Sequence, residues 1–263
     1  MYTLGIDASH WQPQVDWERL RQAGVRFAIL KASQGGAGRD PLLRIHFKGA
    51  RAGGMLCGVY HWCDPTVSDR GQVENFLRAT QELPFDFAAV DVEQYWASWS
   101  EKAAGKITRR IEPQRISASA LATAEGIRSA CGKPVLIYTR ASFIHGYALP
   151  MLQWLADWPL WLAHYPYPAG RFDLDWEQLQ REHAPRLAGP ALPEGCPQWV
   201  FWQFSGDRFV LPGCSTALDL NYFNGSPVDL AAWCGSPVAL ETPLSDPEKL
   251  SRLWAAHPEL AQP

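Results

Sequence analysis

The segment Phe87-Ala88-Ala89-Val90-Asp91-Val92-Glu93 is an apolar run that ends in two acids. Side chains alternate between the two faces of a strand, so Asp91 and Glu93 point to one face while Val90 and Val92 point to the other. Two carboxyl groups that share a partly desolvated space resist double ionisation, which raises the pKa of one of them toward neutrality. The segment therefore predicts a core strand that delivers a proton donor and an ionised partner to one place.

Similar short apolar runs recur along the chain and alternate with segments whose apolar residues are spaced by three and four. This alternation predicts βα units and a parallel sheet, and a chain of 263 residues matches the roughly 250 residues of one β/α barrel. We predict an α/β fold, a modified TIM-like β/α barrel of eight strands. The predicted strands are 3–7, 27–32, 56–61, 87–93, 135–139, 160–164, 199–204 and 217–220, and the predicted helices are 17–23, 42–52, 70–81 (capped by Ser68 or Asp69) and 119–131.

The second half of the chain has a different composition. Gly, Pro and aromatic residues dominate 165–197 and leave little room for full crossover helices, so we expect fewer helices there. From residue 236 onward, X-Pro steps surround a short amphipathic stretch at 248–256. We predict a barrel domain over 1–235 and a Pro-rich tail or linker over 236–263. A helix that covers the barrel bottom is the alternative for this tail.

The bulk composition excludes several classes of partner. A net charge of −3 and scattered Lys and Arg residues give no basic field for nucleic acid. No apolar run approaches the length of a membrane span or of a signal peptide. The six cysteines lack a CxxC pair and are expected to be free thiols, with Cys196 and Cys214 as the pair to test first. We expect a monomer without a cofactor.

Acids occur where barrel enzymes place functional groups, at the ends of strands. Asp7 ends the first predicted strand, Asp91 and Glu93 end the fourth, and Asp219 lies in the last. Asp7 or Asp219 alone could be a turn residue, but four acids at strand ends exceed what a core built for stability needs. The sequence predicts that these four acids converge on one mouth.

Aromatic and polar side chains lie at the same level of the predicted barrel. Such rings cover sugar faces and add polar edges for hydroxyl contacts, although each one alone is more often a packing residue. The 13 Trp residues add a weak indication of sugar-stacking surfaces. The candidate substrate-binding residues are Tyr60, His61, Trp62, Tyr138, His164, Tyr165, Trp202 and Gln203.

Five blocks in order resemble the family 25 glycoside hydrolases, the Chalaropsis-type lysozymes or N,O-diacetylmuramidases. They are GIDASHWQ (5–12), FAILKASQG (27–35), GVYHW (58–62), DVE (91–93) and DLNYFNG (219–225), the last of which adds Asn221 to the candidate substrate-binding residues. Each block is weak alone, but their order is specific and covers roughly 2–233. The sequence departs from the residues that are common in this family at Ala8 and at the pair Ser33-Gln34. Neither departure changes one of the four acids. The resemblance implies a modified barrel whose second half has fewer helices than strands.

The resemblance also implies a substrate, the peptidoglycan glycan strand, and cleavage of its β-1,4 bond between N-acetylmuramic acid and N-acetylglucosamine. Glu93 is expected to be the general acid, because its carboxyl group lies beside Asp91 among apolar residues. Asp91 is expected to stay ionised and to orient the 2-acetamido group, which attacks the anomeric carbon with retention. Asp7 and Asp219 would hold the sugar or a water. Direct attack by water with inversion remains an alternative.

Other functions compete with this one. A non-catalytic barrel could hold glycan in the same groove, although neutral sugars need no paired acid. A metal-dependent hydrolase could use His61 and His164 together with Asp91 and Glu93, but no HxH or HxxxH spacing is present. A chitinase-like enzyme would be expected to carry acids in the spacing DxxDxDxE, which this sequence lacks. Without a signal peptide, an enzyme that acts on the bacterial cell wall is expected to be a phage or prophage endolysin or a protein exported by another route.

Overall fold

The computed structural model describes residues 2–166 and 189–235, with the side chains of 207 and 208 excepted. The predicted tail, 236–263, lies outside the described residues. The strands are β1 Thr3–Ala8, β2 Phe27–Gln34, β3 Gly38–Arg39, β4 Leu56–Trp62, β5 Phe87–Asp91, β6 Val135–Thr139, β7 Leu160–Ala163, β8 Phe201–Phe209 and β9 Leu218–Phe223. The helices are α1 Trp17–Gln22, α2 Leu43–Ala52, α3 Asp69–Thr80, α4 Trp99–Ala103, α5 Pro113–Cys131, α6 Ala141–Tyr147 and α7 Pro227–Trp233, with 3-10 turns at Leu149–Gln153 and Leu155–Asp157.

Eight of these strands close into a barrel. Their order is β1-β9-β8-β7-β6-β5-β4-β2, and β1 pairs with β2 to complete the ring. The very short β3 pairs only with β2, at the edge of the ring. The structure thus confirms the predicted eight-stranded β/α barrel.

The last strand runs against the prediction of a parallel sheet. β9 is antiparallel to both of its neighbours, β8 and β1, whereas the other barrel pairs are parallel. Asp219 lies near the beginning of β9, opposite Asp7 near the end of β1. Because β9 is reversed, its beginning and not its end faces the barrel mouth. Asp219 therefore joins the other acids for a different reason from the one that the sequence suggested.

The helices of the first half follow the apolar periodicity. Ser68 caps α3 by accepting a hydrogen bond from the Gly71 amide, as one of the two predicted caps. α5 begins at Pro113, well before the predicted 119, because proline fits the first helical turn. Helices α4, α6 and α7 were not predicted. In the described part of the second half, only α6, α7 and two 3-10 turns accompany the strands, in agreement with the expected thinning.

The inside of the barrel is apolar at one end and polar at the other. Phe27, Phe87 and Phe201 each begin a strand, and the Phe201 ring lies 5.0 Å from Phe27 and 5.1 Å from Phe87 between centroids. Trp233 of α7 contacts this layer from below, with its ring 5.6 Å from that of Phe87. The phenylalanine layer fills the bottom of the barrel, and the cavity lies above it, toward the carboxyl ends of the parallel strands.

Candidate active site

A cavity of about 430 Å³ occupies the polar end of the barrel. It contains all four acids that the sequence placed at strand ends. Asp7 and Asp91 come from the ends of β1 and β5, Glu93 follows β5, and Asp219 comes from the beginning of β9. The remaining lining residues are Ala8, Ser9, Trp11, Gln12, Lys31, Tyr60, Trp62, Tyr138, Trp161, Gln203, Thr216 and Ala217.

The acids Asp91 and Glu93 share one face, although the strand is shorter than predicted. β5 ends at Asp91, and the next amide, that of Val92, still donates to the Tyr138 carbonyl at 2.9 Å. Val92 packs into the core between barrel and helices. Because Val92 points outward, Glu93 returns to the cavity beside Asp91. The alternation of side chains therefore continues beyond the end of the strand.

Burial dominates the electrostatics of this pair. Asp91 is only 4% exposed, and its Oδ1 has no hydrogen-bond partner among the described residues. Burial and the neighbouring Glu93 raise the pKa of Asp91 well above its usual range, and Lys31 opposes this rise. Burial also raises the pKa of Glu93, against the charges of Arg140, Lys31 and Lys102. The sequence suggested that Glu93 holds its proton more tightly, whereas the structure buries Asp91 more deeply, so that Asp91 competes for the proton.

Asp7 is held by two side-chain amide groups. Its Oδ2 accepts hydrogen bonds from the amide groups of Gln203 at 2.8 Å and of Asn221 at 2.7 Å. Trp161 donates its indole N–H to the Asn221 Oδ1 at 2.7 Å and so fixes the orientation of that amide. Two N–H donors stabilise a carboxylate in its ionised form. The two amide donors therefore fix the orientation of the Asp7 carboxyl group.

Gln203 connects the remaining polar groups of the mouth. Its Oε1 accepts from the hydroxyl groups of Tyr138 at 2.7 Å and of Tyr165 at 2.6 Å. Its Nε2 reaches Asp219 at 3.4 Å in addition to Asp7. Hydroxyl donors on one side and carboxylate acceptors on the other leave a single amide orientation. The network holds four side chains around one face of the cavity.

Several lining residues were not among the predicted site residues. Lys31 donates to Gln34 Oε1 at 2.9 Å, and its Nζ lies 5.2 Å from the centre of the Trp62 ring. Burial lowers the pKa of Lys31, while Asp91, Asp40 and Glu93 raise it. Trp11 is 73% exposed at the rim. The alternation of side chains along β2 could have predicted that Lys31 faces the cavity, because Phe27 and Ile29 lie on the same inward face of this strand.

Three predicted substrate-binding residues lie elsewhere. His61 points outward from β4, fully buried, with Nδ1 at 2.8 Å from Ser33 Oγ and Nε2 at 3.2 Å from Gln72 Oε1. Burial lowers the pKa of His61 to about 4. Trp202 points outward from β8 and donates to the His164 carbonyl, and the exposed His164 does not line the cavity. Strand alternation separates these residues from the inward-facing Tyr60, Trp62 and Gln203, and it also takes both histidines of the metal-site alternative away from the acids.

The six cysteines all lie within the described residues, and each is a free thiol, including Cys196 and Cys214. Among the described helices, none combines the length and the apolarity that crossing a bilayer requires.

Comparison with known proteins gives a consistent result. The family model "Glycosyl hydrolases family 25" matches residues 6–213. The protein YegX of Escherichia coli K12 is 32% identical over 239 residues, which cover 88% of this chain and 74% of YegX. Lysozyme M1 of Streptomyces globisporus is 27% identical over 236 residues, which cover 87% of this chain and 70% of the lysozyme.

The fold agrees with these sequence relationships. The crystal structure of a bacterial lysozyme from Streptomyces coelicolor superposes with a TM-score of 0.69 at 26% identity and covers 89% of this chain and 97% of its own. A family 25 glycosyl hydrolase from Bacillus anthracis shares the fold with a TM-score of 0.65 at 20% identity, covering 88% of this chain and 92% of its own. The five sequence blocks, the barrel and the acidic mouth thus have one explanation. The chain belongs to family 25 of the glycosyl hydrolases.

Proposed function

We propose that this glycosidase cleaves the β-1,4 bond between N-acetylmuramic acid and N-acetylglucosamine in bacterial peptidoglycan. In this proposal the bond is cleaved with retention, through participation of the 2-acetamido group, and Glu93 is the general acid and base. The bacterial cell wall is then the place of action. Two relatives that are named lysozymes, from Streptomyces globisporus and Streptomyces coelicolor, support this substrate.

The free Oδ1 of Asp91 carries the mechanistic part of the proposal. A buried carboxyl oxygen without a partner is costly, and a ligand that donates a hydrogen bond to it removes that cost. The N–H of a 2-acetamido group is such a donor. Hydrogen bonding to the ionised form favours that form, so a bound substrate would keep Asp91 ionised and leave the proton of the pair on Glu93. Substrate binding thus prepares the acid that the reaction needs.

Bond cleavage then proceeds in two balanced steps. The acetamido carbonyl oxygen attacks the anomeric carbon while Glu93 protonates the glycosidic oxygen, and the N-acetylglucosamine end leaves as an alcohol. Asp91 stabilises the positive charge that develops on the acetamido nitrogen. Water next attacks the anomeric carbon and gives a proton to the Glu93 carboxylate. This attack breaks the bond between the anomeric carbon and the acetamido oxygen, and so opens the ring that the first step closed. Two inversions at one carbon leave a β-configured product.

The rest of the mouth would support this reaction by charge and by contact. The carboxylate of Asp7, held by two amide donors, adds negative potential where an oxocarbenium-like transition state develops positive charge. Trp11 and Trp62 present indole rings at the cavity wall, a surface suited to the apolar faces of sugar rings. Asp219 and the tyrosine hydroxyl groups offer polar edges to sugar hydroxyl groups. The cavity is therefore complementary to a neutral, acetylated glycan.

The decisive experiment is digestion of purified peptidoglycan by the parent and by Glu93→Gln. We expect the parent to release fragments with muramic acid at the reducing end, and Glu93→Gln to lose about 100-fold or more of the rate. Glu125→Gln, a change of an exposed residue on α5, is the matched control and keeps the rate. Fragments that end in glucosamine would contradict the proposed bond. Equal rates for the parent and Glu93→Gln would remove Glu93 from its role.

The stereochemistry has a separate test. NMR spectra recorded in the first minutes of hydrolysis show the anomer that forms before mutarotation. We expect the β-anomer. If the α-anomer forms first, water attacks directly and the acetamido step is wrong.

A further inference from the structure

Two loops form a wall next to the cavity, one directly after Glu93 and the other after β6. The loop after β5 folds on itself, because the Ile111 amide donates to the Tyr95 carbonyl at 2.9 Å and Trp96 forms an antiparallel bridge with Arg110. The Tyr95 ring stacks on the ring of Tyr147 from α6, with centroids 3.9 Å apart and an interplanar angle of 14°. This stack joins the loop after β5 to the segment after β6. The wall is thus a fixed surface built from both.

Three cations lie on this wall, and we call Lys102, Arg110 and Arg140 the basic rim. All three side chains are exposed. The Lys102 ammonium lies 4.6 Å from the centre of the Trp96 ring, and the Arg110 guanidinium lies 5.6 Å from that of Tyr147. Aromatic faces hold these two cations in place at the surface.

The basic rim is not neutralised by the protein. Within the described part of the chain, none of its three members forms an ion pair with a carboxylate within 4.0 Å. The adjacent Arg109, by contrast, is paired with Glu101 at 3.0 Å. A surface ion pair contributes little to stability, so exposed cations that stay unpaired remain open to an external partner. The three cations of this wall thus offer a surface that is complementary to an external anion.

The basic rim lies at the acidic end of the barrel. Arg140 directly follows β6, and Lys102 lies over Trp96, whose ring is 6.2 Å from that of the cavity-lining Trp62. Arg140 and Lys102 both oppose the rise that burial causes in the pKa of Glu93. Burial and Tyr147 raise the pKa of Tyr95, and Arg110 and Arg140 both oppose this rise. The floor of the mouth is acidic, whereas this one side of it is basic. A ligand that fits both would be a neutral glycan with an anionic branch near the cleaved bond.

We propose that the basic rim binds carboxylate groups of the peptide stem on the muramic acid residue whose bond is cleaved. This inference rests on the proposed function. A glycan chain of N-acetylglucosamine alone carries no anion, but the lactyl group of muramic acid carries a peptide with free carboxylates. The stem is attached to the same sugar whose anomeric carbon lies at Glu93. The rim therefore makes the enzyme select stem-bearing glycan that is negatively charged.

The test uses two soluble glycan oligomers that differ only in charge. One carries L-Ala-D-Glu stems with free carboxyl groups, and the other carries the same stems with those groups amidated. The measured quantity is the ratio of kcat/KM for the charged oligomer to that for the amidated one. We expect a ratio above one in the parent, which falls about two- to fivefold in Arg110→Gln, the size typical of one exposed charge pair. Raising the salt to 0.5 M should move the ratio toward one.

Two further variants separate charge from structure. Arg110→Lys keeps the cation and should preserve the ratio. Arg128→Gln removes another exposed arginine that lies over an aromatic ring, 4.2 Å from that of Trp158, near the end of α5 that precedes β6. This matched control should also preserve the ratio. A parent ratio of one, or the same ratio in Arg110→Gln as in Arg128→Gln, would overturn the inference.

Binding measurements distinguish failure of this inference from failure of the proposed function. Calorimetry on Glu93→Gln gives the affinities of both oligomers without cleavage. A preference for the charged oligomer that disappears in Glu93→Gln/Arg110→Gln supports the rim even if the parent cuts a different bond. Equal affinities for the two oligomers would refute the rim while leaving the muramidase proposal intact.

Discussion

Asp91 and Glu93 differ in what surrounds each carboxyl group, and this difference fits the separate roles that the proposed mechanism gives them. Asp91 lies at the end of a barrel strand, nearly without solvent and with a free oxygen. Glu93 lies beyond that strand, half-buried, with the cations Arg140, Lys31 and Lys102 acting on it. A group that must exchange a proton with a leaving group and then with water benefits from the more open position. A group that only orients and stabilises charge benefits from the closed one.

A change of leaving group tests this division at the residue scale. An aryl glycoside that releases an acidic phenol needs little protonation, so the defect of Glu93→Gln in kcat/KM should shrink by about tenfold or more relative to its defect on glycan. The defect of Asp91→Asn should persist, because the acetamido group still needs its partner. The measurement is phenol release from an N-acetylated aryl glycoside. Equal recovery of both variants would show that the two carboxyl groups do not have separate roles.

Among the elements, β4 and β5 show how small residues shape the barrel. A Cβ atom on Gly58 of β4 would overlap the ring of Phe87, which begins β5. A similar overlap would occur between Gly5 of β1 and Phe27 of β2. Because glycine has no side chain, the two rings can enter the barrel and fill its bottom. The packing of these strands thus sets the depth of the cavity above them.

Substitution of Gly58 tests this packing. We expect Gly58→Ala to lower the free energy of unfolding by about 1–3 kcal/mol, because the ring of Phe87 has to move. Addition of Phe87→Leu should cost less in Gly58→Ala than in the parent, since the two changes compensate in volume. Gly146→Ala is the control: its new Cβ meets nothing within 4 Å, and alanine favours helix α6. Urea unfolding measures the free energy of unfolding of the parent, of both single variants, of the double variant and of the control. If the effects of Gly58→Ala and Phe87→Leu simply add in the double variant, the overlap is contradicted.

At the scale of the whole molecule, the acidic mouth is built at the expense of stability. Burial raises the pKa of both Asp91 and Glu93. A group whose pKa is higher in the folded than in the unfolded state contributes stability that is fully present below its unfolded pKa and is lost as the pH rises through its folded pKa. Near neutral pH the folded chain therefore pays for holding these acids in the barrel. The phenylalanine layer and the helices around the barrel offset that cost.

This cost predicts a variant that is more stable and less active. Asp91→Asn cannot ionise, so its free energy of unfolding should exceed that of the parent by about 1–2 kcal/mol near pH 7. The difference should vanish below pH about 3.9, the ordinary pKa of an aspartate. The exposed Asp157→Asn is the control and should stay within about 0.5 kcal/mol of the parent. Denaturant unfolding between pH 3 and 8 gives the curves. An Asp91→Asn variant that is less stable than the parent at pH 7 would contradict the cost of burying this acid.

The sequence by itself determined the barrel, the four acids and the family resemblance, because these depend on local periodicity and on motif order. Alternation placed Asp91 and Glu93 on one face, and the structure confirms it. Only the tertiary structure decided what depends on strand direction and on facing side chains. β9 runs backward and brings Asp219 to the mouth from its beginning, and His61 turns outward to Ser33 and Gln72. A shift of one residue along a strand moves a side chain from the cavity side to the core side. No local sequence pattern shows which neighbours then form hydrogen bonds with it.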